Sequence, residues 1–358
     1  MQRHELESIL SNPPDVSNKN IYIWGTGNTA LLYQEGLKRL ECEKILYNKG
    51  YIDNNSQKWG QLFCGKPVIS PQELRGQKDI CVLICSPQSQ VIETVKQQLK
   101  ELQIKGYPID EVILKLQKSH VLNCYDSLDD VESKETYSHI IKCRMNGEYP
   151  QEQFISSEQY FQFQEFYQRD PNEIFIDCGA FVGDTIERYI WKKDGVFQKI
   201  IAFEPDKNNY QAMEKRIARL QEEWNTSPNA FEIYPYGLSD KSTSLKLARY
   251  SKNNGLGSKV VGDMSSEGEY CKITSIDDFI KGRYTFLKAD IESYEYKMLL
   301  GAQKSIAKWH PLLAICIYHN AADMYDIPLL IKSIEPKYKM KIRHYSNFLD
   351  ETVLYAYM

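Results

Sequence analysis

Residues 174–206, IFIDCGAFVGDTIERYIWKKDGVFQKIIAFEPD, constrain the fold more than any other stretch. A short apolar run turns through Asp177-Cys178-Gly179-Ala180-Phe181-Val182-Gly183 and continues with helical spacing. The chain then returns as a second apolar run, residues 199–203, that stops on Glu204. The succession is a strand, a glycine turn, a helix, a strand and an acid.

The turn separates two kinds of adenosine cofactor. A dinucleotide turn reads G-x-G-x-x-G, because backbone N–H groups and a helix N-terminus must approach a pyrophosphate. Here the order is D-x-G-x-x-x-G, with a carboxylate at the strand end. Asp177 repels phosphate and favours a cation, and Glu204, at the end of the next strand, is placed to accept both ribose hydroxyls. S-adenosylmethionine, an adenosine carrying an ammonium and a sulfonium but no phosphate, meets both demands. Gly179, Ala180, Phe181, Gly183, Asp184, Thr185 and Pro205 complete the contacts expected along this stretch. The competing reading makes Asp177 a helix cap and the glycines plain turn residues.

At 358 residues the chain is long enough for two domains, taking roughly 100–200 residues for each. With 42% hydrophobic and 26% charged residues it can bury an ordinary core. A formal net charge of −4 argues against a dedicated nucleic-acid binder. No apolar run reaches the eighteen or so residues of a membrane helix, and the opening MQRHELESIL carries charge where a signal peptide is apolar. The nine cysteines are scattered and odd in number, as in a reduced, cytoplasmic protein.

Residues 1–114 read as a smaller Rossmann-like domain. A strand at 20–24 leads into Gly25-Thr26-Gly27-Asn28-Thr29-Ala30 and a helix to about residue 40, and Asp53 ends a second strand. Strands at 67–69 and 80–85 and a helix at 88–102 continue the βαβ alternation. A nicotinamide dinucleotide at Gly25, Gly27 and Asp53 would make the chain an oxidoreductase, a reading the weak fingerprint leaves open. The phrases YIDNN and GKPVISPQEL resemble the N-terminal domain of bacterial sugar O-acyltransferases, which implies a nucleotide-sugar or carrier at this domain.

Residues 115–170 form an aromatic-rich connector, with helices expected at 128–145 and 158–166 around a break at Gly147 and Pro150. Phe154, Tyr160, Phe161, Phe163 and Phe166 are expected to cover the sheet edge and the domain junction, or, at Tyr160 and Phe161, to roof the cofactor or acceptor.

Residues 171–358 carry the chemistry. After Glu204 a helix at 208–224 leads to a strand at 231–236, and Gly237 and Leu238 follow as adenine contacts. Residues 242–270 read as a hairpin with a glycine-rich tip at 253–257. A strand at 284–289 ends on Asp290, and period-two alternation puts Lys288, Asp290 and Glu292 on one side, at the carboxyl end where open α/β sheets bind ligands. A further strand, 312–318, ends on His319, the first candidate for a general base because imidazole titrates near neutral pH. Glu292 is expected to orient it or to bind an acceptor hydroxyl, Asp290 to hold the methionine amino group or help position substrate, and Lys288 to pair with either acid. A Mg²⁺ or Mn²⁺ ion on Asp290, Glu292 and His319 is an alternative way to acidify an acceptor hydroxyl.

The phrases DCGAFVGDT, AFEPD, GLSD, LKADIESYEYKML and ICIYHNAADMYDIPLLI resemble the FkbM methyltransferases over residues 158–358. Ser293 departs from that family's pattern, which has glycine after the glutamate. The resemblance implies a class I methyltransferase fold, a Rossmann-like seven-stranded sheet with its last strand antiparallel, and O-methylation of a sugar, nucleotide-sugar, glycan or sugar-containing product. A catalytically inactive nucleotide-binding scaffold of a carbohydrate pathway is the competing function, and the chain could act as an oligomer in either case.

Overall fold

Short apolar runs in the N-terminal third form β1 (Asn20–Trp24), β2 (Asn48–Ile52), β3 (Leu62–Phe63), β4 (Lys66–Ile69), β5 (Ile80–Ile84) and β6 (Gly106–Pro108). The computed structural model describes residues 2–16, 18–249, 258–260 and 269–358. Packing divides the chain into two units. The first holds Met1–Ile155, Tyr318–Asp326 and Ser346–Asp350, and the second holds Ser156–Ile317, Ile327–Tyr345 and Glu351–Met358. The division falls inside the segment that the sequence sets off as a connector.

In the first unit the strand order is β3-β4-β2-β1-β5-β6, parallel throughout except for β3 against β4. The helix Ser89–Glu101 presents Ile92, Val95 and Leu99 at helical spacing to a core containing Trp24, Val82 and Ile84. The connector holds a helix the sequence reading did not foresee, Lys118–Ser127, and the first expected one follows as Val131–Asn146, capped by Asp130 on the Ser133 amide and closed by Gly147 at φ 68°. The expected second helix is reduced to Gln164–Tyr167. Tyr160 breaks it: its φ is 67°, and its amide donates to the Tyr355 hydroxyl at 2.8 Å instead of to a helical carbonyl.

The second unit is built on β7 (Ile174–Cys178), β8 (Lys199–Phe203), β9 (Phe231–Tyr234), β14 (Phe286–Ala289), β15 (Leu312–Cys316), β16 (Lys339–His344) and β17 (Thr352–Tyr357), in the order β16-β17-β15-β14-β7-β8-β9. The five strands from β15 to β9 run parallel, and β17, last in the chain, is antiparallel to both neighbours. This is the seven-stranded class I arrangement expected above. Buried on both faces, its central strands are near-continuous apolar runs. The connector's Phe166 packs edge-on against Phe286 and Tyr355, with ring centroids 5.4 and 5.0 Å away, so this ring covers the sheet.

The single strand expected at 231–236 is two. Pro235 lacks the N–H a ladder needs, β9 stops before it, and β10 (Tyr236–Leu238) joins a second sheet with β11 (Thr243–Arg249), β12 (Ser258–Val260) and β13 (Glu269–Thr274). There β11 pairs antiparallel with both β12 and β13, as a hairpin excursion would. The glycine-rich tip at 253–257 lies outside the described residues.

Candidate active site

Strands β7, β8 and β14 are adjacent, and their carboxyl ends carry the residues that the sequence singled out. Gly179 makes the approach of β7 to β14 feasible. Its φ is 79°, and a Cβ there would lie 1.9 Å from the Asp290 carbonyl oxygen, so no larger residue fits. Phe181 (φ 48°) and Gly183 (φ 80°) continue the turn, and Gly183 caps the helix Asp184–Lys192. Ala180 and Thr185 are buried there, while Asp184 is exposed on the first helical turn.

Glu204 faces this turn. Its Oε2 accepts the Phe181 amide at 3.0 Å and its Oε1 accepts the Asp206 amide at 2.8 Å. Burial lifts its carboxyl to about 7, against the pull of those two amides. Asp206, which sequence reasoning did not include, also caps the helix Lys207–Glu223 through the Asn208 and Asn209 amides. Its position just before a helical run was the available signal.

Asp177 differs from expectation. It is fully buried, and the cation it meets belongs to the chain itself: Lys288 Nζ stands 3.0 Å from Asp177 Oδ1. The two are register partners on adjacent parallel strands. Burial raises the Asp177 carboxyl to about 6, opposed by Lys288. Burial pushes the Lys288 ammonium down, but Asp177 and Asp290 outweigh it and hold it above the ordinary lysine value. The pair is therefore ionised at neutral pH, and Lys288 also donates to the Gly179 carbonyl at 2.9 Å. The negative charge expected of Asp177 is internally neutralised, and the residue's part is to hold the lysine that holds the glycine turn.

Asp290, just past β14, is partly exposed. The Tyr160 hydroxyl donates to its Oδ2 at 3.1 Å and lies 3.4 Å from Cys316 Sγ, with Lys288 Nζ 5.3 Å from the Tyr160 ring centre. Cys316 and Tyr355 were missed as partners of Tyr160, since only the fold brings them together.

The one-sided trio does not survive. β14 ends at Ala289, and Glu292 and Ser293 take left-handed backbone, φ 56° and 74°, so the alternation that put Glu292 beside Lys288 stops before it. Ser293 thus occupies, where glycine was expected, a conformation that suits glycine. Glu295, also missed, takes the Ile291 amide on Oε1 at 2.6 Å and secures the turn. Gly237 and Leu238 are buried in β10, paired with β13. Pro205 separates the two acids of the β8 loop. The strand expected to run to His319 ends at Cys316, and His319 is buried within the 318–326 segment of the first unit.

In the first unit, Asp53 is already engaged: Lys58 Nζ lies 2.9 Å from its Oδ2 and 2.8 Å from Thr26 Oγ1, and Thr26 bonds the same carboxylate. A carboxylate so occupied is poorly disposed to take a ribose. A cleft of about 490 Å³ in this unit, lined among others by Lys96, Glu111, Lys115 and Lys142, includes none of the sequence-predicted residues.

Residues 177–338 match the family model described as methyltransferase FkbM domain, and residues 17–109 match that described as C2185-like, N-terminal. Methyltransferase FkbM from Methylobacillus flagellatus KT is 19% identical, with a TM-score of 0.58 covering 99% of this chain and 98% of that one. An rRNA methylase from Streptococcus thermophilus is 13% identical, with a TM-score of 0.33 covering 56% and 95%. A Streptococcus mutans protein in complex with SAH is 12% identical, with a TM-score of 0.32 covering 57% and 100%. No curated protein matches the chain. The first structure shares this chain's fold, and residues 177–338 of this chain match the FkbM methyltransferase domain.

Proposed function

We propose that the protein is an S-adenosylmethionine-dependent O-methyltransferase acting on a hydroxyl of a sugar, nucleotide-sugar, glycan or sugar-containing product. The observation that carries the cofactor reading is the acid at the end of β8 folded onto the glycine turn after β7, with Glu204 bonded to the Phe181 amide. Each Glu204 oxygen accepts one amide and retains lone-pair capacity for a ribose hydroxyl. Asp290, braced by Tyr160, is the carboxylate suited to the methionine ammonium, the part the sequence divided between it and Asp177. The donor set is carboxylate-rich and Lys288, beside the turn, is paired with Asp177, which suits a cationic nucleoside and disfavours a pyrophosphate.

S-adenosylmethionine supplies, when bound, a methyl group already activated on a sulfonium. The chain's own residues bind, orient and take a proton. Gly179, Ala180 and Phe181 shape the turn, and Gly237 and Leu238 offer backbone to the base. His319 accepts the proton of the acceptor hydroxyl, a step worth about 10²–10⁴-fold in rate. Glu292 orients that imidazole or binds an acceptor hydroxyl. The sugar class of acceptor rests on the resemblance to the FkbM methyltransferases.

The test is mass spectrometry of a mixed panel of nucleotide sugars and glycans after incubation with the protein and methyl-labelled S-adenosylmethionine. The proposal expects one added methyl on a panel member, lost in His319→Ala. A panel left unlabelled by protein that binds S-adenosylmethionine would remove the sugar acceptor. A duplicate incubation with a strong chelator decides whether Mg²⁺ takes part.

A further inference from the structure

His319 is held from both sides by arginines of the N-terminal half. On one side the Tyr318 carbonyl accepts Arg144 Nη1 at 2.9 Å, and the same nitrogen reaches the Leu349 carbonyl at 3.2 Å. Arg144 is 5% exposed. Its Nε stands 3.1 Å from Asp110 Oδ2, and the Tyr33 hydroxyl bonds the other oxygen of Asp110.

On the other side Asn320 folds the chain into a turn. Its Nδ2 donates to Asp323 Oδ2 at 2.5 Å, and its Oδ1 accepts the amides of Ala322 and Asp323 at 3.0 and 3.3 Å. Arg39 fastens that turn, with Nη2 2.8 Å from Asp323 Oδ1 and Nε 2.7 Å from Asp326 Oδ2. Asn320 and Asp323 are fully buried. The arginine-bearing helix presses so closely that a Cβ on Gly36 would lie 2.6 Å from Asn320 Oδ1.

Burying guanidiniums costs desolvation that a packed apolar core would avoid. What arginine supplies in return is direction, because its planar fork fixes the angle between the groups it joins, whereas a lysine is a point charge. Here the Arg144 fork joins the residue immediately before the histidine to the helix Val131–Asn146, and the Arg39 fork joins Asp323, the partner of the residue immediately after it, to the helix Gln34–Cys42.

We propose that Arg39 and Arg144 are positioning residues for His319, fixing the backbone on either side so that the imidazole is presented in one orientation. The inference rests on the reading of His319 as the proton acceptor.

The test uses the full chain with isotopically labelled histidine. The protein has six histidines, and the His319 imidazole signal is the one lost in His319→Gln. In Arg144→Lys and in Arg39→Lys, with folding verified by thermal melts, that signal should shift or broaden while the other imidazole signals hold. Methyl incorporation into the mixed panel should fall about tenfold or more, within the range of a misplaced general base, with calorimetric affinity for S-adenosylmethionine unchanged. An unmoved His319 signal in both variants would overturn the inference, as would full methyl incorporation in both. Should His319→Gln itself retain full activity, the proton-acceptor reading falls and the positioning role with it, whereas an inactive His319→Gln beside fully active arginine variants removes the positioning role alone.

Discussion

Lys288 and Asp177 face each other across adjacent parallel strands, Nζ to Oδ1 at 3.0 Å, with neither side chain more than 3% exposed. Removing one partner leaves the other charge buried without compensation. Lys288→Met should therefore cost about 3–5 kcal/mol at pH 7. The lone Asp177 would then bind its proton more readily folded than unfolded, so the variant should recover stability as pH falls. Urea unfolding at pH 5 and pH 8 checks both points, and Lys288→Met combined with Asp177→Asn should lose less than the single change.

Glu204 makes a separate pH prediction. Its folded carboxyl sits near 7, against an ordinary glutamate value of 4.5, because burial disfavours the charge. Between those values the folded protein holds more protons than the unfolded chain, so this group's contribution declines as pH rises from 4.5 through 7, by about 3 kcal/mol in all. Denaturant midpoints measured across that range should slope downward for the wild type and show a shallower slope for Glu204→Gln.

Two glycines of one turn should respond differently to alanine. Gly183→Ala meets the flexible side chains of Met213 at 3.3 Å and Arg216 at 3.5 Å, and its chief cost is a left-handed backbone, about 1–2 kcal/mol. Gly179→Ala has the same backbone problem and a collision with the Asp290 carbonyl at 1.9 Å. It should lose several kcal/mol or fail to fold, while Gly183→Ala folds with a modestly lowered melting temperature, as thermal melts would show.

What was legible in the sequence was local. The strand–turn–helix–strand run of β7 and β8 follows from apolar spacing and turn residues, which put Glu204 just past the end of β8. What escaped was set by register or by distance along the chain. Period-two alternation cannot say which strand lies beside β14, so it could not reveal that Lys288 neutralises Asp177. Nor could it see that Glu292 and Ser293 leave extended backbone. The Arg39–Asp326 contact joins residues 287 apart, so no window of sequence contains it. Aromatic spacing in the connector points to rings that cover a sheet, and Phe166 does so, but the turn at Tyr160 depends on the Tyr355 hydroxyl, far downstream.

The central claim is that the carboxyl end of this sheet takes a cationic, phosphate-free adenosine, and titration calorimetry of the intact protein tests it most directly. S-adenosylmethionine should bind and NAD should not. Glu204→Ala and Asp290→Asn should each weaken S-adenosylmethionine by about tenfold or more, the equivalent of a lost charge-assisted hydrogen bond. Absence of heat with S-adenosylmethionine, or an affinity untouched by both substitutions, would contradict the account.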